Sequence, residues 1–237
     1  MSEQLDEVPT GTLAVFGGSE ALRLAWAATT DQVGRVLALD PVVVEPDGSA
    51  AGSVEDMVAL AGRTAGPLLV LPQFPPSAGG GSTPAAQVLV PFDGTDSDAR
   101  RLRPLVALFR AGGVATVLMH ALTEETRPRF WEGPGHHAEA WRNEVELRHG
   151  AEDDAELRIS SDDPGRAVRE QAGAVDLVAM VWGGDPSVER AAVVRAALGD
   201  AVMVPVLLLP APWVDAVHVE GDDAPEGVSP DRPAGSG

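Results

Sequence analysis

Three places in this chain bring together residue types that could do chemistry. The first is Asp93-Gly94-Thr95, which follows the apolar run Val88-Leu89-Val90-Pro91-Phe92 and precedes a helix-like pattern. A buried strand that ends in an acid and a glycine and then feeds a helix reads as a βα turn of an open parallel sheet. Ligands in such sheets sit outside the carboxyl ends of the strands, where the strand order reverses. A carboxylate and a hydroxyl at that turn are placed to contact a small molecule. The second place is His136-His137, with Glu132 and Glu139 nearby. Adjacent helical positions point about 100° apart, so the pair cannot close on one ion from one face. An open zinc site also needs three converging ligands, and a solvated helix start accounts for these residues. The third is Ser160-Ser161-Asp162-Asp163-Pro164. Without a Gly-x-Ser-x-Gly elbow, serine and aspartate before proline read as a helix N-cap rather than a nucleophile.

Composition excludes whole classes of mechanism. The chain has 237 residues, no Cys, no Tyr, and 17 basic residues that are all Arg. Disulfides, thiolate nucleophiles and Cys-ligated metals are out, as are Schiff bases and the P-loop lysine. A formal charge of −19 repels nucleic acid and anionic membranes. The start is acidic, with no basic or apolar leader pattern, and no apolar run is long enough to cross a bilayer. These features predict a cytoplasmic protein with no metal, nucleic acid or membrane among its partners.

The elements that would carry Asp93 follow an alternating plan. Thr12–Phe16 reads as a strand, Gly17-Gly18-Ser19 as a turn, and Glu20–Thr30 as a helix. The stretch 35–44 is apolar and broken at Asp40-Pro41. Ser53 caps a helix to about Arg63, and Leu68–Pro72 is a buried strand. Residues 73–86 hold three prolines and Gly79-Gly80-Gly81, a linker composition. Strands are then predicted at 88–92, 114–122, 155–159, 175–182 and 204–210. Helices are expected between them, one striped by Leu102, Leu105, Val106 and Phe109, one over 136–149, one opened by Asp163-Pro164 and one capped by Ser187. His120, ending the second of these strands, is a packing or pocket-edge residue. Phe130-Trp131 and Trp141 cover a helix edge or, alternatively, form a lid over the strand ends. From Val214 the chain carries six acids against one Arg, the composition of a disordered tail. The prediction is an α/β fold with a doubly wound parallel five-stranded sheet, preceded by a shortened copy of the same unit. Gly66–Pro72 echoes Val204–Pro210, and Gly17-Gly18-Ser19 echoes Asp93-Gly94-Thr95. The expected organisation is a disordered start (1–11), a degenerate repeat (12–72), a linker (73–86), a second unit (87–212) and an acidic tail (213–237).

Residues 87–210 resemble the universal stress protein family. The carrying segments are Val88–Thr95, Thr116-Val117-Leu118-Met119-His120-Ala121, Ala174–Met180 and Val204–Pro210. The resemblance implies a non-enzymatic binding module, often in tandem, whose two halves pack about a pseudo-two-fold axis through their last strands. It therefore predicts Leu68–Leu71 beside Val206–Leu209. It also makes Asp93 an adenosine-contacting acid, with Gly94, Thr95, Gly183 and Gly184 the other nucleotide-binding positions. ATP-binding members carry Gly-x2-Gly-x9-Gly-Ser/Thr, whose glycines let backbone amides reach phosphates at a helix N-terminus. This chain departs from that pattern: Gly183-Gly184-Asp185-Pro186 is followed by Ala192-Val193 where the final Gly-Ser would fall. Asp185 and Glu189 add negative charge there. The reading is a stress-associated interaction module with an unidentified protein partner or self-association and no cofactor, not a strong ATP binder. The alternative is an ATP or AMP sensor centred on Asp93 with a remodelled phosphate loop.

Overall fold

The computed structural model of the chain describes residues 11–17, 19–44, 53–61, 64–76, 83–92, 96–121, 143, 155–160, 162–182, 188–199 and 203–222. Its strands are β1 (Thr12–Phe16), β2 (Asp40–Val44), β3 (Leu68–Val70), β4 (Gln87–Phe92), β5 (Ala115–Ala121), β6 (Ala155–Ser160), β7 (Leu177–Trp182) and β8 (Val206–Pro210). They form one eight-stranded sheet in the order β2-β1-β3-β8-β7-β4-β5-β6. Six of its pairings are parallel. The seventh is antiparallel and joins the two halves of the chain, with Leu68 opposite Leu208, Leu69 opposite Leu207 and Val70 opposite Val206. The expected meeting of these strands is thus observed. The fold is doubly wound α/β, with the two units continuous in one sheet.

Over the central strands both sheet faces are buried, which is why those strands read as unbroken apolar runs rather than alternating ones. One face carries Leu13, Val15, Leu69, Val88, Val90, Leu118, Val181, Leu207 and Leu209. It is covered by α2 (Ala27–Leu37), α4 (Asp96–Ala111) and α7 (Ala211–Asp222). The other face carries Ala14, Phe16, Leu68, Leu89, Met119, Met180, Trp182 and Leu208. It is covered by α3 (Val54–Ala61), α5 (Pro164–Ala172) and α6 (Val188–Leu198). Asp163 caps α5 through its side chain, accepting from the Arg166 N–H at 3.1 Å, with Pro164 opening the helix.

Three stretches differ from the sequence expectation. Helix was predicted to stop at Thr30, but after a short α1 (Glu20–Ala25) the chain is helical to Leu37. The break falls at Trp26 (φ −104°, ψ 9°), and Ala38 ends α2 in the left-handed region at φ 53°. Val33 and Leu37 bury one face of this helix, which outweighs the β-branched content of the stretch. Asp40-Pro41, expected as a break, opens β2 instead, because β2 is an edge strand where a missing N–H costs no ladder bond. The tail expected to be disordered from residue 213 is helical to Asp222. Ala211 and Val214, three apart, share a helix face and are 6% and 2% exposed.

The linker is held at both described ends by the first unit. The Trp26 indole N–H donates to the Phe74 carbonyl at 3.3 Å, and the Gln32 amide donates to the Ala85 carbonyl at 2.9 Å.

Candidate functional site

The second unit has its topological switch point between β4 and β7. The chain leaves β4 into α4 on one sheet face and leaves β7 towards α6 on the other. At the amino ends the two strands are clamped. Asp176 accepts from the backbone N–H groups of Ala86 and Gln87 at 2.9 and 3.0 Å, and its own N–H donates to the Gln87 carbonyl at 3.0 Å. The ladder then runs only through Val88 opposite Leu177 and Leu89 opposite Val178. The last three residues of β4 and the last four of β7 share no pairing. Pro91 has no N–H to contribute to a ladder. The β4/β7 ladder thus ends short of the carboxyl ends of both strands, the end of an α/β sheet at which ligands bind.

The equivalent point of the first unit is shut. β3 lies directly against β1, paired from Ala14–Leu68 to Phe16–Val70, and the Leu71 N–H closes the ladder onto the Phe16 carbonyl at 2.8 Å. Gly17 follows at φ 130°, where a Cβ would stand 2.8 Å from the Leu71 carbonyl oxygen. β1 and β3 are thus paired to their carboxyl ends, whereas β4 and β7 are not paired beyond Leu89 and Val178.

Two buried polar side chains lie at the carboxyl ends of β5 and β7, the strands on either side of β4. His120, 0% exposed, lies beside Phe92 with ring centroids 5.1 Å apart. Its Nδ1 is 3.2 Å from the Phe92 carbonyl oxygen. A carbonyl only accepts, so Nδ1 carries the proton in this contact. His120 thereby holds the residue immediately before Asp93. Trp182, 3% exposed, ends β7. Its indole N–H is buried and has no hydrogen-bond acceptor among the described residues. An unmet buried donor costs about 1–3 kcal/mol. Trp182→Phe, which deletes the N–H and keeps an aromatic ring, is therefore expected to unfold in urea within about 1 kcal/mol of the wild type, since relief of the orphan donor offsets the lost contacts. A loss above about 2 kcal/mol would mean that the indole N–H does bond in solution.

Helix α7 packs against α4. Arg101 of α4 donates from Nε and Nη2 to the two carboxylate oxygens of Asp215 in α7, at 2.8 and 3.1 Å. Neither residue was singled out by sequence reasoning. The Ala211–Val214 spacing could have revealed the helix, but the pairing spans 114 residues.

Asp93, Gly94, Thr95, Gly183 and Gly184, the sequence-predicted ligand residues, lie outside the described residues, as do His136-His137, Phe130-Trp131 and Trp141. The structure places the strands that deliver the first five: β4 ends at Phe92 and β7 at Trp182. An open groove of about 690 Å³ lies elsewhere, between α2, the start of β2 and Pro84. It belongs to the amino end of β2, away from the strand ends. Among the described residues no group of three His, Asp or Glu could hold a metal ion. No described helix is long and apolar enough to cross a membrane.

No protein-family model matches the sequence, and no curated protein matches it. Among solved structures, a universal stress protein in complex with cAMP is similar at 21% identity, covering 53% of this chain and 96% of that one, with a TM-score of 0.39. A universal stress protein from Archaeoglobus fulgidus is similar at 14% identity, over 73% of this chain and 70% of its own, with a TM-score of 0.43. A functionally unknown protein from Pseudomonas aeruginosa is similar at 12% identity, over 89% and 85%, with a TM-score of 0.44. These are likenesses of overall α/β fold and transfer no residue roles to this chain.

Proposed function

We propose that this protein is a non-enzymatic, universal-stress-type binding and interaction module, built from a shortened first unit and a complete second one, that does not hold ATP strongly. The observation that carries the reading is the contrast between the two switch points. Gly17 and Leu71 bring backbone into close approach at the first, while the ladder between β4 and β7 stops at Leu89 and Val178 at the second. Corresponding elements also meet across the junction: β3 with β8, α3 with α6, and α2 with α4. The Glu55–Arg195 ion pair at 3.2 Å spans α3 and α6. That pattern favours a pseudo-two-fold relation in which the first unit has lost the counterparts of β6 and β7.

Weak ATP binding rests on sequence: the loop after β7 has too few glycines to cradle a triphosphate, and acids stand beside it. The module's partner is a second protein or another copy of this chain, and its setting is the cytoplasm. The second reading is an adenine-nucleotide sensor centred on Asp93, which directly follows β4, the strand whose pairing with β7 ends early. Native mass spectrometry of the full chain with ATP and AMP, beside a phosphate-release assay with Mg²⁺, tests both. The module retains no nucleotide at micromolar concentration and releases no phosphate. Retention of either nucleotide selects the sensor, and sustained phosphate release would overturn both.

A further inference from the structure

We infer that the outer edge of β2 is a self-association surface, on which β2 of a second copy of this chain pairs antiparallel about Val43. The inference names a partner for the interaction module and rests on the pseudo-two-fold relation proposed for its two units.

The strand order sets the edge. β2 ends the sheet in the first unit and β6 ends it in the second. Under the pseudo-two-fold relation β1 corresponds to β4 and β2 to β5. β5 carries β6 along its outer side, paired from Thr116–Ala155 to Ala121–Ser160. No described strand pairs with the outer side of β2. The two edges also differ in chemistry. β6 bears the Glu156–Arg158 ion pair at 2.8 Å, and charge is one means by which natural sheets keep an edge from pairing. β2 carries no charge from Pro41 to Val44, and four of its five residues are exposed. Val42 and Val43 are 38% and 48% exposed. They lie in register with Ala14 and Val15, which belong to opposite faces of the sheet. Both faces are therefore apolar at this edge.

The backbone fixes which groups the edge offers. The Ala14 N–H donates to the Pro67 carbonyl, and the Phe16 carbonyl accepts from the Leu71 N–H. Ala14 and Phe16 thus turn their backbone groups to β3, and Leu13 and Val15 turn theirs to β2. Along β2, Val42 then faces β1, while Pro41 and Val43 face outward. Val43 offers a donor and an acceptor, and Pro41 an acceptor alone. An antiparallel ladder about Val43 lets the two copies of that residue exchange both N–H···O bonds. It sets Val42 against Val44 of the second copy, apolar against apolar, and holds the two Asp40 residues six positions out of register, about 20 Å apart. The strand is thus complementary to itself, as a closed two-fold contact requires. Pro41 ends the ladder on each side, which keeps the contact short and the association weak.

Sedimentation velocity of the full chain at low and high salt tests this. The wild type is expected to dimerise reversibly with a dissociation constant of roughly 10–300 μM, as suits a contact below standard interface size. The dimer should tighten as salt rises, because each copy carries a formal charge of −19 that salt screens. Val43→Lys and Val43→Glu, each first checked for a native urea transition, place like charges opposite one another across the two-fold axis. Each should weaken the dimer roughly three- to tenfold. An equimolar mixture of the two variants sets opposite charges face to face and should dimerise more tightly than either alone. In the wild type, hydrogen exchange at the Val43 amide should slow as protein concentration rises, while the Val42 amide, already turned to β1, should not change. A wild type that stays monomeric at about 1 mM, well above the expected range, would overturn the inference. So would a dimer that Val43→Lys leaves intact, or a mixture that dimerises no better than its components. Nucleotide retention, which decides the module reading, is a separate measurement, so failure of one is not mistaken for failure of the other.

Discussion

Leu69→Asp is expected to unfold the whole chain rather than its first unit alone. Leu69 and Leu207 are each 0% exposed and face each other at the centre of the antiparallel β3–β8 pairing. Both belong to one continuous core that also takes in Val15 and Leu37 from the first unit and Val90, Leu105 and Val181 from the second. A carboxylate at this point has no cation to pair with and no route to water. Its burial, together with the lost leucine, costs more than about 4 kcal/mol. Total stability for a domain is only about 5–15 kcal/mol. Urea unfolding followed by far-UV circular dichroism and by tryptophan fluorescence should give coincident transitions in the wild type, and the variant should be largely unfolded without urea. A variant that keeps half of its helical signal with a native-like midpoint would mean that the units fold independently.

Gly17→Val is expected to cost about 2–4 kcal/mol, the second large effect. A valine at φ 130° is strained in itself. Its Cβ would also stand 2.8 Å from the Leu71 carbonyl oxygen and 3.3 Å from the Leu71 Cβ. Backbone cannot step aside cheaply there, because the Leu71 N–H is bonded to the Phe16 carbonyl at 2.8 Å. Gly113→Ala is the control. It has φ 74° but nothing within 4 Å of an added Cβ, so it bears only the conformational cost, about 1 kcal/mol. Urea midpoints at constant slope measure both. Equal losses would show that close approach of β1 and β3 is not what shuts the first switch point.

The second unit was legible because its strands are buried on both faces and say so in their composition. Val88–Phe92, Leu177–Trp182 and Val206–Pro210 are apolar throughout, each bounded by a turn or a helix signal. The meeting of β3 with β8 was expected from the family resemblance, which brings the last strands of two halves together, and Leu68–Leu71 and Val206–Leu209 were the segments it named. Helix α2 was hidden because Ala27–Leu37 mixes β-branched residues and glycine, so its single buried face is faint in the sequence. Helix α7 was masked by the acids around it, although Ala211 and Val214 hold the helical spacing. Closure of the first crevice could not be read at all. It depends on β3 lying directly against β1, a contact made between residues more than fifty positions apart. The Arg101–Asp215 pair is of the same kind. Chemistry at Asp93 and Gly183-Gly184 rests on sequence alone, while the early end of the ladder between the strands that precede them is seen in the β4/β7 register.

Calorimetric titration of the full chain with ATP and AMP, for the wild type and for Asp93→Ala, is the most direct measurement. The expected result is binding no tighter than about 100 μM for the wild type, roughly 5.5 kcal/mol of association free energy, with no phosphate released. A dissociation constant of a few micromolar that Asp93→Ala abolishes would contradict the interaction module and make the protein a nucleotide sensor.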